Sequence, residues 1–156
     1  MGSRIVFANG QLIDGSGGPP RHAVTLVVES DTISDVSEQP YDGSDCLLFD
    51  LEGKVIMPGL VDCHEHANQW VMWPVLQPSL SAGDMACLAV AYLGACLEVG
   101  ITALCDMGGL EAGFVRGIDQ GLIRGPRTQT SVQFAHPTAG LTDSWGGSPR
   151  WGRLWR

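Results

Sequence analysis

A long amphipathic stretch set between two short apolar runs restricts this chain more than any other feature. "SAGDMACLAVAYLGACLEVG", residues 81–100, carries Met85, Leu88, Ala89, Tyr92, Leu93, Cys96 and Leu97 at the i, i+3, i+4, i+7 spacing of one helical face. Ser81 stands where an N-cap belongs, Asp84 follows three residues on, and Gly100 occupies the place of a C′ residue. "LVDCH" (60–64) lies before this helix and "ITALCD" (101–106) after it, each about one strand long. A helix between two strands serves as the crossover that parallel pairing needs, whereas antiparallel strands can be joined by a tight turn. "LEAGFVRGIDQGLIRG" (110–125) reads as a shorter helix, with Gly113, Gly117 and Gly121 on one face, and "PRTQTSVQF" (126–134) as a third strand. The order β-α-β-α-β predicts an α/β fold, either a parallel sheet or the opening strands of a β/α barrel.

Residues 1–57 follow another rhythm. "RIVFANGQLID" carries a hairpin signal at Asn9-Gly10, "GSGGPP" is a loop, and "AVTLVVESDTISDVS" alternates through Val24, Leu26 and Val28 before a turn at Ser30-Asp31. "CLLFDLEGKVIM" supplies one or two further strands. So small a β-rich segment buries little on its own and expects partner strands from elsewhere. The chain thus divides into a β-rich composite segment (1–57), a strand–helix region (58–135) and an irregular tail (136–156). The tail holds Trp145, Trp151 and Trp155 with Arg150, Arg153 and Arg156, and reads as a chain end without a fold of its own. A net charge of −8 argues against a nucleic-acid or anionic-membrane partner, since phosphates are repelled. Five scattered cysteines without a CxxC pair, and no visible secretory signal, lead to the expectation of reduced thiols and a cytoplasmic location.

Two of the four histidines, His64 and His66, stand one residue apart at the end of the first apolar strand. Alternation along a strand sends both to one side, with Cα atoms roughly 6.5–7 Å apart, so two imidazoles can converge on one ion through bonds of about 2.0–2.1 Å. Glu65 then points away and is not named as a ligand. The carboxyl end of a strand in a parallel β/α fold is also where ligands bind. Two imidazoles are half a zinc site, since catalytic zinc takes three protein ligands and a water. Asp106, at the end of the second strand, and His136 are the candidates for a further ligand; the alternative roles are a turn cap for Asp106 and a loop histidine for His136. Cys63 is discounted, and Asp62 is expected to shape a turn or support the pair.

"GKVIMPGLVDCHEH" resembles the signature of the amidohydrolase superfamily, in the imidazolonepropionase-like and prolidase-like branch. The matching residues are Gly53, Val55, Ile56, Pro58, Gly59, Leu60, Val61, Asp62, His64 and His66. "GITALCDMGG" is similar to the second barrel strand of that family and "GLIRGPRTQTS" to the third, so the resemblance covers about residues 4–133. It implies the N-terminal part of a (β/α)8 TIM-barrel metal-dependent hydrolase, preceded by a small β-sandwich segment. It implies a divalent metal, zinc first among them, with one or two ions in a complete enzyme and His64 and His66 as ligands. The implied reaction is hydrolysis, by metal-activated water, of non-peptide and often cyclic amide or other C–N bonds in a small-molecule substrate.

The departures are specific. A full barrel needs about 250 residues, and 90 of the 156 follow His66. Lys54, the single lysine, precedes the H-x-H, and His136 is the single histidine after it. The barrel is therefore expected to be incomplete in this chain and the protein to be a truncated form. Two further readings are a catalytically inactive fragment that binds metal weakly or joins another subunit through exposed strand edges, and a basic-aromatic nucleic-acid module, which the charge disfavours.

Overall fold

The computed structural model describes residues 4–42, 45–68 and 80–133. The chain forms two compact units, Met1–Pro58 and a second from Gly59 onward. Trp145, Trp151, Trp155 and His136 lie outside the described residues.

The first unit is a single five-stranded sheet, ordered β3-β2-β1-β4 with β5 also on β1. Its strands are β1 (Arg4–Leu12), β2 (Arg21–Glu29), β3 (Thr32–Ser37), β4 (Leu47–Asp50) and β5 (Val55–Ile56). The turn at Ser30-Asp31 joins β2 to β3, with Ser30 at φ 60°. Asn9-Gly10 makes no hairpin; β1 runs straight through it. The register steps from Phe7↔Leu26 to Gly10↔Val24, so β1 spends one more residue than its partner, and Asn9 absorbs it at φ 57°. Asn tolerates that left-handed conformation, so the residue that suits a tight turn serves equally as a bulge. Val6, Val24, Leu26 and Val27 are buried, whereas every residue of β4 is exposed. The second layer of the expected sandwich is not among the described residues.

The second unit has the anticipated β-α-β-α-β order: β6 (Leu60–Glu65), α1 (Ala82–Glu98), β7 (Ile101–Asp106), α2 (Ala112–Asp119) and β8 (Arg127–Thr130). The three strands form one parallel sheet, β6-β7-β8. Ser81 and Asp84 build a reciprocal capping box at the start of α1, and Gly100, at φ 86°, follows its end. Ala89, Leu93 and Cys96 of α1 are buried with Leu104 of β7, Ala67 and Leu110, and Tyr92, Phe114, Ile118 and Ile123 pack around them. Helix α2 is shorter than its sequence window suggests, because Gly121 turns to φ 70° just past it. Gly117 alone of its glycine row faces a close neighbour: a Cβ there would stand 2.7 Å from Ile123 Cδ1. No helix among the described residues is long and apolar enough to cross a membrane.

Candidate metal site

The ladder between β6 and β7 explains how His64 and His66 are presented. Asp62 pairs with Leu104 and Glu65 with Asp106, so β6 takes three residue steps where β7 takes two. The extra residue is a bulge at Cys63-His64. Strict alternation would place Asp62 on the histidines' side. The bulge instead carries Asp62 and Glu65 to the same face as their buried partners Leu104 and Asp106, toward α1. Both carboxylates act on the Cys96 thiol of α1, whose pKa is raised chiefly by burial. Burial first, and a hydrogen bond to Glu65 second, hold the Tyr92 hydroxyl well above the usual phenol range. Glu65 is thus engaged with α1.

The two imidazoles stay together on the other side. Their ring centres are 5.4 Å apart and the planes are perpendicular. Two imidazoles sharing one ion at a tetrahedral angle, through bonds of about 2.0–2.1 Å, have centres about 5 Å apart. The separation of the ring centres is compatible with two donors to one cation. His64 is exposed, and its backbone N–H donates to Asp62 Oδ1 at 3.0 Å, which gives Asp62 the expected turn role. His66 is half-buried; its backbone N–H donates to Glu65 Oε1 at 2.8 Å and its ring Nδ1 lies 3.1 Å from the Gly108 carbonyl oxygen. A carbonyl can only accept, so that contact makes Nδ1 the protonated nitrogen.

Asp106 is built into the backbone. It is 1% exposed. Its Oδ2 accepts from the Ala67 N–H at 2.7 Å, and its Oδ1 accepts from the N–H groups of Gly108 and Leu110 at 2.9 and 3.2 Å. Thr130 Oγ1 stands 3.3 Å from Oδ1 and 2.7 Å from the Leu110 carbonyl; its one proton serves the nearer carbonyl. The turn-cap alternative describes this carboxylate, and the third-ligand role does not. Among the described residues no group of three His, Cys, Asp or Glu side chains is placed to hold one metal ion. His136 lies outside them, and Cys63 is exposed beside the bulge.

The loop at Gly108-Gly109 and the residue Asn68 belong to the surroundings of the pair, and neither stands out in the sequence. Asn68 Nδ2 donates to the Gly109 carbonyl at 3.0 Å, and its Oδ1 is buried without a hydrogen-bond partner among the described residues. The only local sign is "DMGG" directly after a strand. A groove of about 440 Å³, lined by Val61, Cys105, Val115, Arg127 and Gln129 among others, includes neither histidine.

Known proteins resemble this chain in sequence and fold. A dihydroorotase from Caldanaerobacter subterraneus subsp. tengcongensis is 38% identical over 66 residues, 42% of this chain and 15% of that one. A solved amidohydrolase superposes with a TM-score of 0.75 at 28% identity, covering 93% of this chain and 38% of that one. A prolidase solved with N-methylphosphonate-L-proline gives 0.73 at 27% identity over 83% of this chain and 32% of its own. The chain is related to the amidohydrolase superfamily. Molinate hydrolase joins these amidohydrolase neighbours at a TM-score of 0.74 and 25% identity, with 85% of this chain and 30% of its own covered. No family model matches the chain. It spans 15% of the curated amidohydrolase relative and roughly a third of the solved ones, 30–38%.

Proposed function

We propose that this chain is the metal-binding N-terminal part of an amidohydrolase-type hydrolase that acts on amide or other C–N bonds of small molecules. The observation that carries the reading is the edge-to-face pair of His64 and His66 at the end of β6, 5.4 Å apart, in a chain whose relatives are hydrolases of this kind. A divalent metal held there, zinc first, supplies Lewis acidity toward water and toward a substrate carbonyl. The residues present here bind and orient: His64 and His66 donate, Asp62 fixes the turn under His64, and Glu65 anchors the strand to α1. The parallel sheet is read as the first strands of a (β/α)8 barrel whose later strands lie outside it, and His136 stands as a candidate for a further ligand.

A second reading is favoured by the missing third donor among the described residues. In it the chain binds metal weakly, lacks catalysis of its own, and associates through open strand edges. One experiment separates the two. The 156-residue chain is loaded with zinc, its metal content is measured, and it is assayed on cyclic amides and N-acyl amino acids beside His64→Ala and His66→Ala. Hydrolysis and metal lost together in both variants supports the enzyme. Metal without hydrolysis supports the weak binder. Metal content equal in the parent and both variants rejects the site.

A further inference from the structure

We propose that Asp106 is a positioning residue that sets the tautomer and aim of His66 through the Gly108 carbonyl. The proposal rests on the reading of His64 and His66 as metal ligands and adds a residue that acts on that site without touching it.

The carboxylate of Asp106 joins two chain segments. Through Oδ2 it holds the N–H of Ala67, the residue after His66. Through Oδ1 it holds the N–H groups of Gly108 and Leu110, the loop that follows β7. Backbone bonds tie these segments again and add β8: the Met107 N–H donates to the Glu65 carbonyl at 2.8 Å, and the Ser131 N–H after β8 donates to the Asp106 carbonyl at 3.0 Å. A buried carboxylate with three N–H donors has one orientation open to it, since moving leaves donors unpaired in a site closed to water.

The loop it holds is the one that orients His66. Gly108 donates its N–H to Asp106 and presents its carbonyl 3.1 Å from His66 Nδ1. Gly109 presents its carbonyl to Asn68 Nδ2 on the same neighbouring segment. Glycine is what lets two successive residues do this: Gly108 and Gly109 take φ of 144° and 106°, where a Cβ is strained. The chain of contacts thus runs from carboxylate to amide and from carbonyl to Nδ1–H. A ring whose far nitrogen is fixed by an acceptor is both aimed and more basic at the near one.

Asp106→Asn tests the link. The amide keeps one acceptor oxygen but turns an NH2 group against N–H donors on one of its two sides, so the loop must shift. The full chain is labelled with 15N at histidine and kept free of metal at about pH 8, and His66 is assigned by its loss in His66→Gln. The expected wild-type spectrum shows His66 with Nδ1 protonated and Nε2 bare. Asp106→Asn, with its helical circular dichroism retained, is expected to show a mixture of tautomers and cobalt(II) binding weaker by about 10–100-fold. A wild-type His66 protonated at Nε2 overturns the proposal, as does an Asp106→Asn chain with wild-type tautomer and cobalt affinity. Should that variant fail to fold, Asp106→Glu, which keeps the charge but displaces the carboxylate from its three N–H donors, decides in its place: a raised Nε2–H fraction supports the coupling and an unchanged one overturns it. Because the tautomer is read without metal, a wild-type chain that binds no cobalt rejects the metal site and leaves this result standing by itself.

Discussion

His64 and His66 differ in what holds them, and that difference separates affinity from stability. His64 is exposed, held among the described residues through its backbone N–H and its edge-to-face contact with His66, while the His66 ring is tied to the Gly108 carbonyl. Losing a residue that merely supports a ligand costs about 10–100-fold in metal affinity. Alanine at either histidine is therefore expected to weaken zinc binding by at least about 100-fold in competition with a chromophoric chelator. In denaturant melts of the metal-free chain the two part company: His64→Ala stays within about 0.5 kcal/mol of the parent, and His66→Ala loses about 0.5–1.5 kcal/mol with its hydrogen bond. Equal losses in both would show that the Gly108 contact carries no stability. Gly59, inside a signature the sequence displays plainly, has a reason the sequence hides. A Cβ there would stand 2.0 Å from Thr102 Oγ1 and 2.6 Å from Thr102 Cβ, and Thr102 is the extra residue of β7 between the pairs Leu60↔Ile101 and Val61↔Ala103. Gly59→Ala is expected to cost about 1–3 kcal/mol, the range for forced overpacking; an unchanged urea midpoint would count against the close approach.

At the scale of elements, what was legible is what is local. Helix α1 shows its face, its cap and its terminating glycine within twenty consecutive residues, and all of them stand where the pattern puts them. The cap has a pH signature. Hydrogen bonds from the Ser81 side chain and then from its backbone hold the Asp84 carboxyl below its ordinary 3.8. A lowered folded-state pKa means that the stabilisation is complete above the ordinary value and is lost as pH falls through the lowered one. A carbon-detected titration is expected to place Asp84 below 3.8, and Ser81→Ala to move it back up while removing about 1 kcal/mol of cap stability. A midpoint at the ordinary value in the parent chain would remove the capping box. What was not legible depends on a partner strand. Asn9-Gly10 signals a turn by its conformational tolerance, and only pairing with β2 makes it a bulge. The bulge at Cys63-His64 leaves no mark in the sequence, because it is defined by two steps of β7 opposite three of β6. Yet that bulge is what keeps both carboxylates of "DCHE" on the α1 side and both imidazoles on the other. The histidine pair and the turn-cap alternative for Asp106 were readable from spacing; the bond from Ala67 to the same carboxylate was not, since it comes from a segment far away in the chain.

At the scale of the molecule, each unit leaves a sheet incompletely covered. Strand β4 pairs with β1 on one side, and among the described residues nothing pairs with the other. Its side chains are exposed on both faces, Leu47 by 57% and Leu48 by 54%, and Phe49 stacks on Phe7 while still 44% exposed. An apolar, unpaired edge of this kind recruits another strand. The acidic net charge of −8 slows encounter without capping the edge, since β4 carries only Asp50, and that carboxylate is engaged with the Asn9 side chain and the Glu52 N–H. The chain is therefore expected to self-associate as its concentration rises, and the association to strengthen with salt, because screening removes charge repulsion and leaves apolar burial. A lysine on the edge opposes pairing in two ways, by charge and by desolvation. Leu48→Lys is expected to shift sedimentation velocity profiles toward monomer with the circular dichroism of α1 unchanged, since α1 belongs to the other unit. A parent chain that stays monomeric at every concentration, or a Leu48→Lys chain that associates as the parent does, would mean that β4 is not the sticky edge, leaving the open sides of β6 and β8 in the second sheet as the next to test.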